Sequence, residues 1–249
     1  MSRTNFASRE VMNLNIVDYT TKVPVMHMDY ANTTSTELTS DPAFAYGGWG
    51  HVKRVAFNGE KEGTLTVSTQ MRSFELYRLV SGAQIESTAK FLRREELTAV
   101  AGVLTLSKTP IAGSVNVFAK DDDCGTPETV TVDGKTATLS DNTDTGVHVV
   151  YYMVNLTQKT RRLTIKSTVF PHDVSIYGET LMKTEAGEYF PYKMVVYKAT
   201  PQSNINLDFS NNGDPGEMEI KFDILATADN DMLDLIMIED EDGDTAIAE

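Results

Sequence analysis

The pattern of hydrophobic and polar positions changes period in a way that marks two kinds of element. In Glu62–Gln70 the apolar Leu65 and Val67 fall on one side of an extended chain, with Thr64, Thr66 and Ser68 on the other, which predicts a half-buried strand. From Ser73 the spacing lengthens. Phe74, Tyr77, Leu79 and Val80 recur at roughly helical intervals, Ser73 suits an N-cap and Gly82 suits a left-handed C-terminal position. One short helix is therefore expected over residues 73–81.

Elsewhere the period is two. Val23–Met28 reads as an edge strand, because Pro24 has no N–H to give a central ladder. Ala31–Ser40 has the Thr-rich alternation of a half-exposed strand. Further strands are expected at Ile85–Leu92, Val100–Leu106, Ser114–Ala119, Val147–Asn155, Arg162–Val169, Val174–Lys183, Tyr189–Lys198, Ile205–Phe209 and Met218–Leu225. Thr129–Leu139 reads as a hairpin turning at Asp133-Gly134, a pair suited to a type I′ turn. Arg93-Arg94-Glu95-Glu96 reads as a turn or helix start, and Asp121–Pro127 as a turn. The Gly- and aromatic-rich stretch Asp41–His51 reads as a loop, packed over the core or exposed as an interface.

This succession predicts a mainly β fold, a sandwich or barrel with one flanking α-helix and loop insertions. Residues 1–22 are polar and read as an N-terminal arm. Residues 23–228 read as a single β domain, and 229–249 as an acidic C-terminal segment, expected to be mobile from Glu239 onward.

Charge narrows the function classes. The chain carries 36 acidic and 22 basic residues, a formal charge of −14. Nine of the acids lie in residues 229–249 without a Lys or Arg, leaving 27 acids against 22 bases, or −5, in the body. A protein that grips nucleic acid needs the opposite balance, because phosphate contacts dominate its affinity. No stretch approaches the ~20 apolar residues of a membrane span, and no signal-peptide core is expected, so neither membrane anchor nor export is predicted. Cys124 is the single cysteine, which excludes an intrachain disulfide.

Candidate chemistry is sparse. His27, His51, His148 and His172 show no metal-ligand spacing. Aligning Gly243 with the turn position of a calcium loop puts Ile238, which cannot ligate, at the first position. There is no phosphate-binding glycine loop and no nucleophile elbow. No catalytic, cofactor or metal site is predicted, and the expectation is a building block, not an enzyme.

The order of several stretches resembles the major tail tube proteins of tailed bacteriophages. These are Tyr30–Thr34 through Glu37-Leu38-Thr39, the loop Tyr46–Gly50, and Arg54–Phe57 leading into Glu62–Val67 and the helix. Later come Phe170-Pro171, Ile176–Thr180, Lys198–Gln202, and Gly213-Asp214-Pro215 followed by Ile220–Leu225. The resemblance covers nearly the whole chain. It implies hexameric rings stacked into a tube, each subunit adding strands to a β-barrel around a channel that conducts DNA during ejection. It implies tape measure, terminator and baseplate proteins, and a sheath in a contractile tail, as partners, and a virion component assembled in the host cytoplasm. Candidate contacts between rings or subunits are Phe44, Tyr46, Trp49 and His51. Since simple tube subunits are often shorter, 121–155 is expected to elaborate the outside of the tube. Another virion protein (sheath, head decoration or tail terminator) and an adhesive β module are the alternatives.

Overall fold

The computed structural model describes residues 5–207, 209, 211, 213 and 215–238 of the 249-residue chain. It is mainly β, with one α-helix among the described residues. The chain divides into two compact units, one built from both ends of the sequence up to Gln84 and from Leu163, the other from Ile85–Arg162.

The chain begins with β1 (Phe6–Ser8), β2 (Asn13–Asp18), β3 (Pro24–Met28), β4 (Thr33–Ser40), β5 (Ala43–Gly47), β6 (Val52–Phe57), β7 (Lys61–Thr69) and α1 (Phe74–Ser81). It continues through β8 (Ile85–Glu86), β9 (Ala89–Thr98), β10 (Val103–Thr105), β11 (Asn116–Ala119), β12 (Val130–Asp133), β13 (Thr136–Leu139) and β14 (Val147–Leu156). After β15 (Arg162–Leu163) come β16 (Val174–Thr184), β17 (Tyr189–Pro201), β18 (Met218–Ile224) and β19 (Leu233–Met237).

In the first unit, nine strands form one sheet in the order β3-β2-β16-β17-β18-β7-β4, with β1 beside β16 and β19 beside β17. The sheet curls over one of its faces, bringing β4 across to other strands while its edge stays unpaired. On β4, Thr34 Oγ1 accepts from the Met12 N–H at 3.3 Å, and Thr36 Oγ1 lies 3.4 Å from Met194 Sδ of β17. Its concave side is the core: Leu14, Ile16, Leu65, Val67, Ile176, Val196, Ile220 and Phe222 are buried together with Leu76, Leu79 and Val80 of α1. Each such side chain contributes roughly 1.5–3 kcal/mol by leaving water.

The helix begins and ends where its sequence dictates. Ser73 Oγ accepts from the Leu76 N–H at 3.1 Å, and Gly82 adopts φ 68°, donating its N–H to the Arg78 carbonyl. A Cβ on Gly82 would stand 2.2 Å from the Phe170 carbonyl oxygen, so this position needs glycine for space as well as for conformation.

The second unit has its own core. Strands β9 and β14 pair over their full lengths, β11 pairs with the other side of β14, and β10-β13-β12 form a second sheet. Leu104, Leu106, Val117, Ala137, Val150 and Tyr152 are buried together. The predicted Asp133-Gly134 hairpin is the β12–β13 connection, with Gly134 at φ 56°.

Several expectations are corrected. Residues 13–18, expected in a free arm, form a strand inside the sheet between β3 and β16, with Leu14 and Ile16 at 0% exposure. Alternate residues Asn13 and Asn15 face the polar side, which hid the strand in a polar stretch. The insertion runs over 85–162 as a compact unit, longer than the elaboration expected over 121–155 within one domain. Arg93–Glu96 continues β9 and makes no turn. Its side chains alternate between faces, so that Arg93 pairs with Glu95 on one face and Arg94 with Glu96, at 3.2 Å, on the other. Asp41–His51 is half strand, contributing β5. Only Arg162–Leu163 of the strand expected to Val169 forms one, and Ile205–Leu207 is irregular. Within the acidic segment, Leu233–Met237 pairs with β17 as β19. The mobility expected from Glu239 onward falls on 239–249, outside the described residues.

Candidate assembly interface

Strands β5 and β6 form a two-stranded hairpin of their own between β4 and β7. The ladder runs Ala43↔Phe57, Phe44↔Ala56 and Ala45↔Val55, then shifts by a bulge to Tyr46↔Lys53 and Gly47↔Val52. Its tip turns through Gly48 (φ 84°), Gly50 (φ 89°) and His51 (φ 48°), all in the left-handed region. Arg54 Nε donates to the Gly47 carbonyl at 3.3 Å, bracing the bulge.

All four sequence-predicted contact residues lie on this hairpin. Phe44 and Tyr46 share one face of β5, and Lys53 Nζ sits 3.8 Å from the centre of the Phe44 ring. Trp49 is at the tip and fully exposed, and His51 is exposed beside it. Sequence reasoning missed Val52, Val55 and Phe57, which are about half exposed on the return strand. The available signal was the apolar Val52, Val55, Ala56 and Phe57 of VKRVAF, spaced without the alternation of a half-buried strand. Exposed aromatics and valines clustered on one projection mark an interaction surface more strongly than the same residues scattered.

A second surface lies on the convex side of the main sheet. Across β18, β7 and β4 it presents Glu219, Lys221 and Asp223, then Glu62, Thr64, Thr66 and Ser68, then Thr33, Ser35, Glu37 and Thr39. Lys221, the one base in this group, is paired with Glu219 at 2.9 Å. Short hydroxyl side chains and a surplus of carboxylates make a wettable wall of weakly negative character. Where β16 meets β17, Asp173 accepts from the Thr200 hydroxyl at 2.6 Å and pairs with Lys198 at 3.1 Å; these contacts outweigh burial and hold its carboxyl below the usual range. Strand β4 closes this wall with an edge of eight residues that pairs with β7 on one side only.

The remaining candidate chemistry is dispersed. His148 is buried, with Nδ1 3.2 Å from Glu128 and Nε2 3.2 Å from Asp144, while His27 Nδ1 lies 2.7 Å from Asn15 Oδ1. Cys124 is exposed, its Sγ 3.6 Å from the Tyr151 hydroxyl. Among the described residues no group of three or more His, Cys, Asp or Glu side chains is arranged to hold a metal ion, and no helix is long and apolar enough to cross a membrane.

A comparison with curated proteins found no match. A family model described as the YomU/Tube protein family matches residues 7–238, from the first strand through the last, with the hairpin, the open-edged sheet and the insert all included. The chain belongs to the YomU/Tube protein family, a phage tail tube-like family.

Proposed function

We propose that the chain is the repeating subunit of a phage tail tube, closing into hexameric rings that stack around a channel through which DNA passes during ejection. The observation that carries this reading is β4. An eight-residue edge strand with one open pairing side invites uncontrolled strand addition, and ring closure removes that hazard by giving the edge a defined partner.

The wall formed by β18, β7 and β4 supports the same reading. Its carboxylates and hydroxyls suit a lumen, since a basic wall would retain the phosphate backbone and a weakly negative one lets it slide. Its opposite face carries Leu65, Val67, Ile220 and Phe222 into the core, so the sheet has one wet and one packed side. Tape measure, terminator and baseplate proteins would meet the ends of such a tube, and a sheath its outside. Assembly in the host cytoplasm and residence in the virion follow from that role.

Mass photometry of the purified chain tests the proposal. A particle of six 27.5 kDa chains is the expected closed unit. A single 27.5 kDa species at every concentration tried would refute it.

A further inference from the structure

One end of the core is open. Leu38 of β4 and Leu233 and Leu235 of β19 lie on the core-facing side of the sheet, because their cross-strand partners Gly63, Val196 and Met194 do. Leu38 is nonetheless 54% exposed and Leu235 59%. Gly63 leaves the room in which Leu38 lies: a Cβ there would come within 2.8 Å of Leu38 Cδ2 and 3.0 Å of Ile224 Cβ. A groove of about 460 Å³ runs here, floored by Leu38, Met232 and Leu233. Asp231 stands on its rim with a single base, Lys61, while the Asp234 carboxylate lies on the opposite face of β19, accepting from the Tyr197 hydroxyl at 2.5 Å.

The β5–β6 hairpin has the matching composition. Tyr46, Trp49, Val52 and Val55 are exposed, and residues 43–57 contain Lys53 and Arg54 but no acid. The hairpin springs from Ser40 and Lys61, which themselves line the groove. At about 3.3 Å of rise per residue, its tip stands on the order of 15 Å from that base and cannot fold back into it.

We propose that this groove receives the hairpin tip of a second copy of the chain, Trp49 entering against Leu38, Met232 and Leu233 while Arg54 faces Asp231. The inference rests on the tail-tube reading in taking self-assembly as given, and adds which surface accepts the hairpin. Projection and groove are different patches of one chain, so the contact is head-to-tail and repeats from copy to copy. Burying an indole among aliphatic side chains provides the apolar gain, and the charge match fixes orientation.

The test uses two full-length variants in a Cys124→Ser background, one carrying Trp49→Cys and the other Leu38→Cys, mixed and oxidised gently. Both replaced side chains are exposed, so each variant is expected to fold, which circular dichroism checks. The expected result is a 49–38 disulfide that predominates over both homodimers. Adding Arg54→Glu to the first variant should abolish it, and Asp231→Lys in the second should restore it. Rings or tubes that form while the 49–38 product stays at or below the homodimers would overturn the groove assignment and leave the tube reading intact. Failure of the Cys124→Ser parent to assemble at all would overturn both.

Discussion

Ser73 and Gly82 bracket the helix by mechanisms that follow from residue type alone: a hydroxyl that accepts an orphan N–H, and a residue free to take φ 68°. Ser73→Ala should lower unfolding free energy by about 1 kcal/mol in urea titration. Gly82→Ala should cost more, since a Cβ would collide with Phe170 in a left-handed backbone. Glu95 supplies a pH test. Burial pushes its carboxyl up, but hydrogen bonds from the Ser107 hydroxyl, Arg93 and the Ser107 N–H outweigh that and hold it at about 2. A carboxyl depressed on folding stabilises the protein above its ordinary value of 4.5, and the contribution is lost as pH falls toward about 2. Glu95→Gln should therefore flatten the decline in melting temperature across that acid window. The Glu95 environment is not legible in the sequence, because Ser107 reaches Glu95 only through tertiary pairing.

At the scale of elements, period was the reliable guide and polarity the misleading one. The Leu65/Val67 alternation gives β7 correctly, and Leu65→Ala should cost about 2–5 kcal/mol by leaving a cavity at a site with 0% exposure. β2 was missed because its outward residues are Asn and its apolar residues number too few to stand out. Its place in the sheet sets the outcome of truncation: deleting residues 1–20 removes Leu14 and Ile16 from the core and should abolish cooperative melting. The charges of β9 mislead similarly, since Arg-Arg-Glu-Glu reads as a turn until alternation puts one ion pair on each face. The hairpin lay between the two cases. Its aromatics stand out in the sequence as candidate contacts, but the bulge that turns Tyr46 opposite Lys53 is a register property no local pattern carries.

At the scale of the molecule, family and fold class were legible because they rest on the order of many stretches and on strand periodicity. The extent of the 85–162 unit was not, because no Pro- or Gly-rich linker marks its boundaries; its separate core defines it. If the wall formed by β18, β7 and β4 lines a channel, Thr64→Lys with Thr66→Lys should leave folding and assembly unchanged while slowing DNA release from virions, because both side chains project away from the core. Negative-stain microscopy of the purified full-length chain tests the central claim most directly. Six-fold rings or hollow tubes with a narrow central channel are the result this account predicts. Dispersed monomers that never assemble on concentration would contradict it.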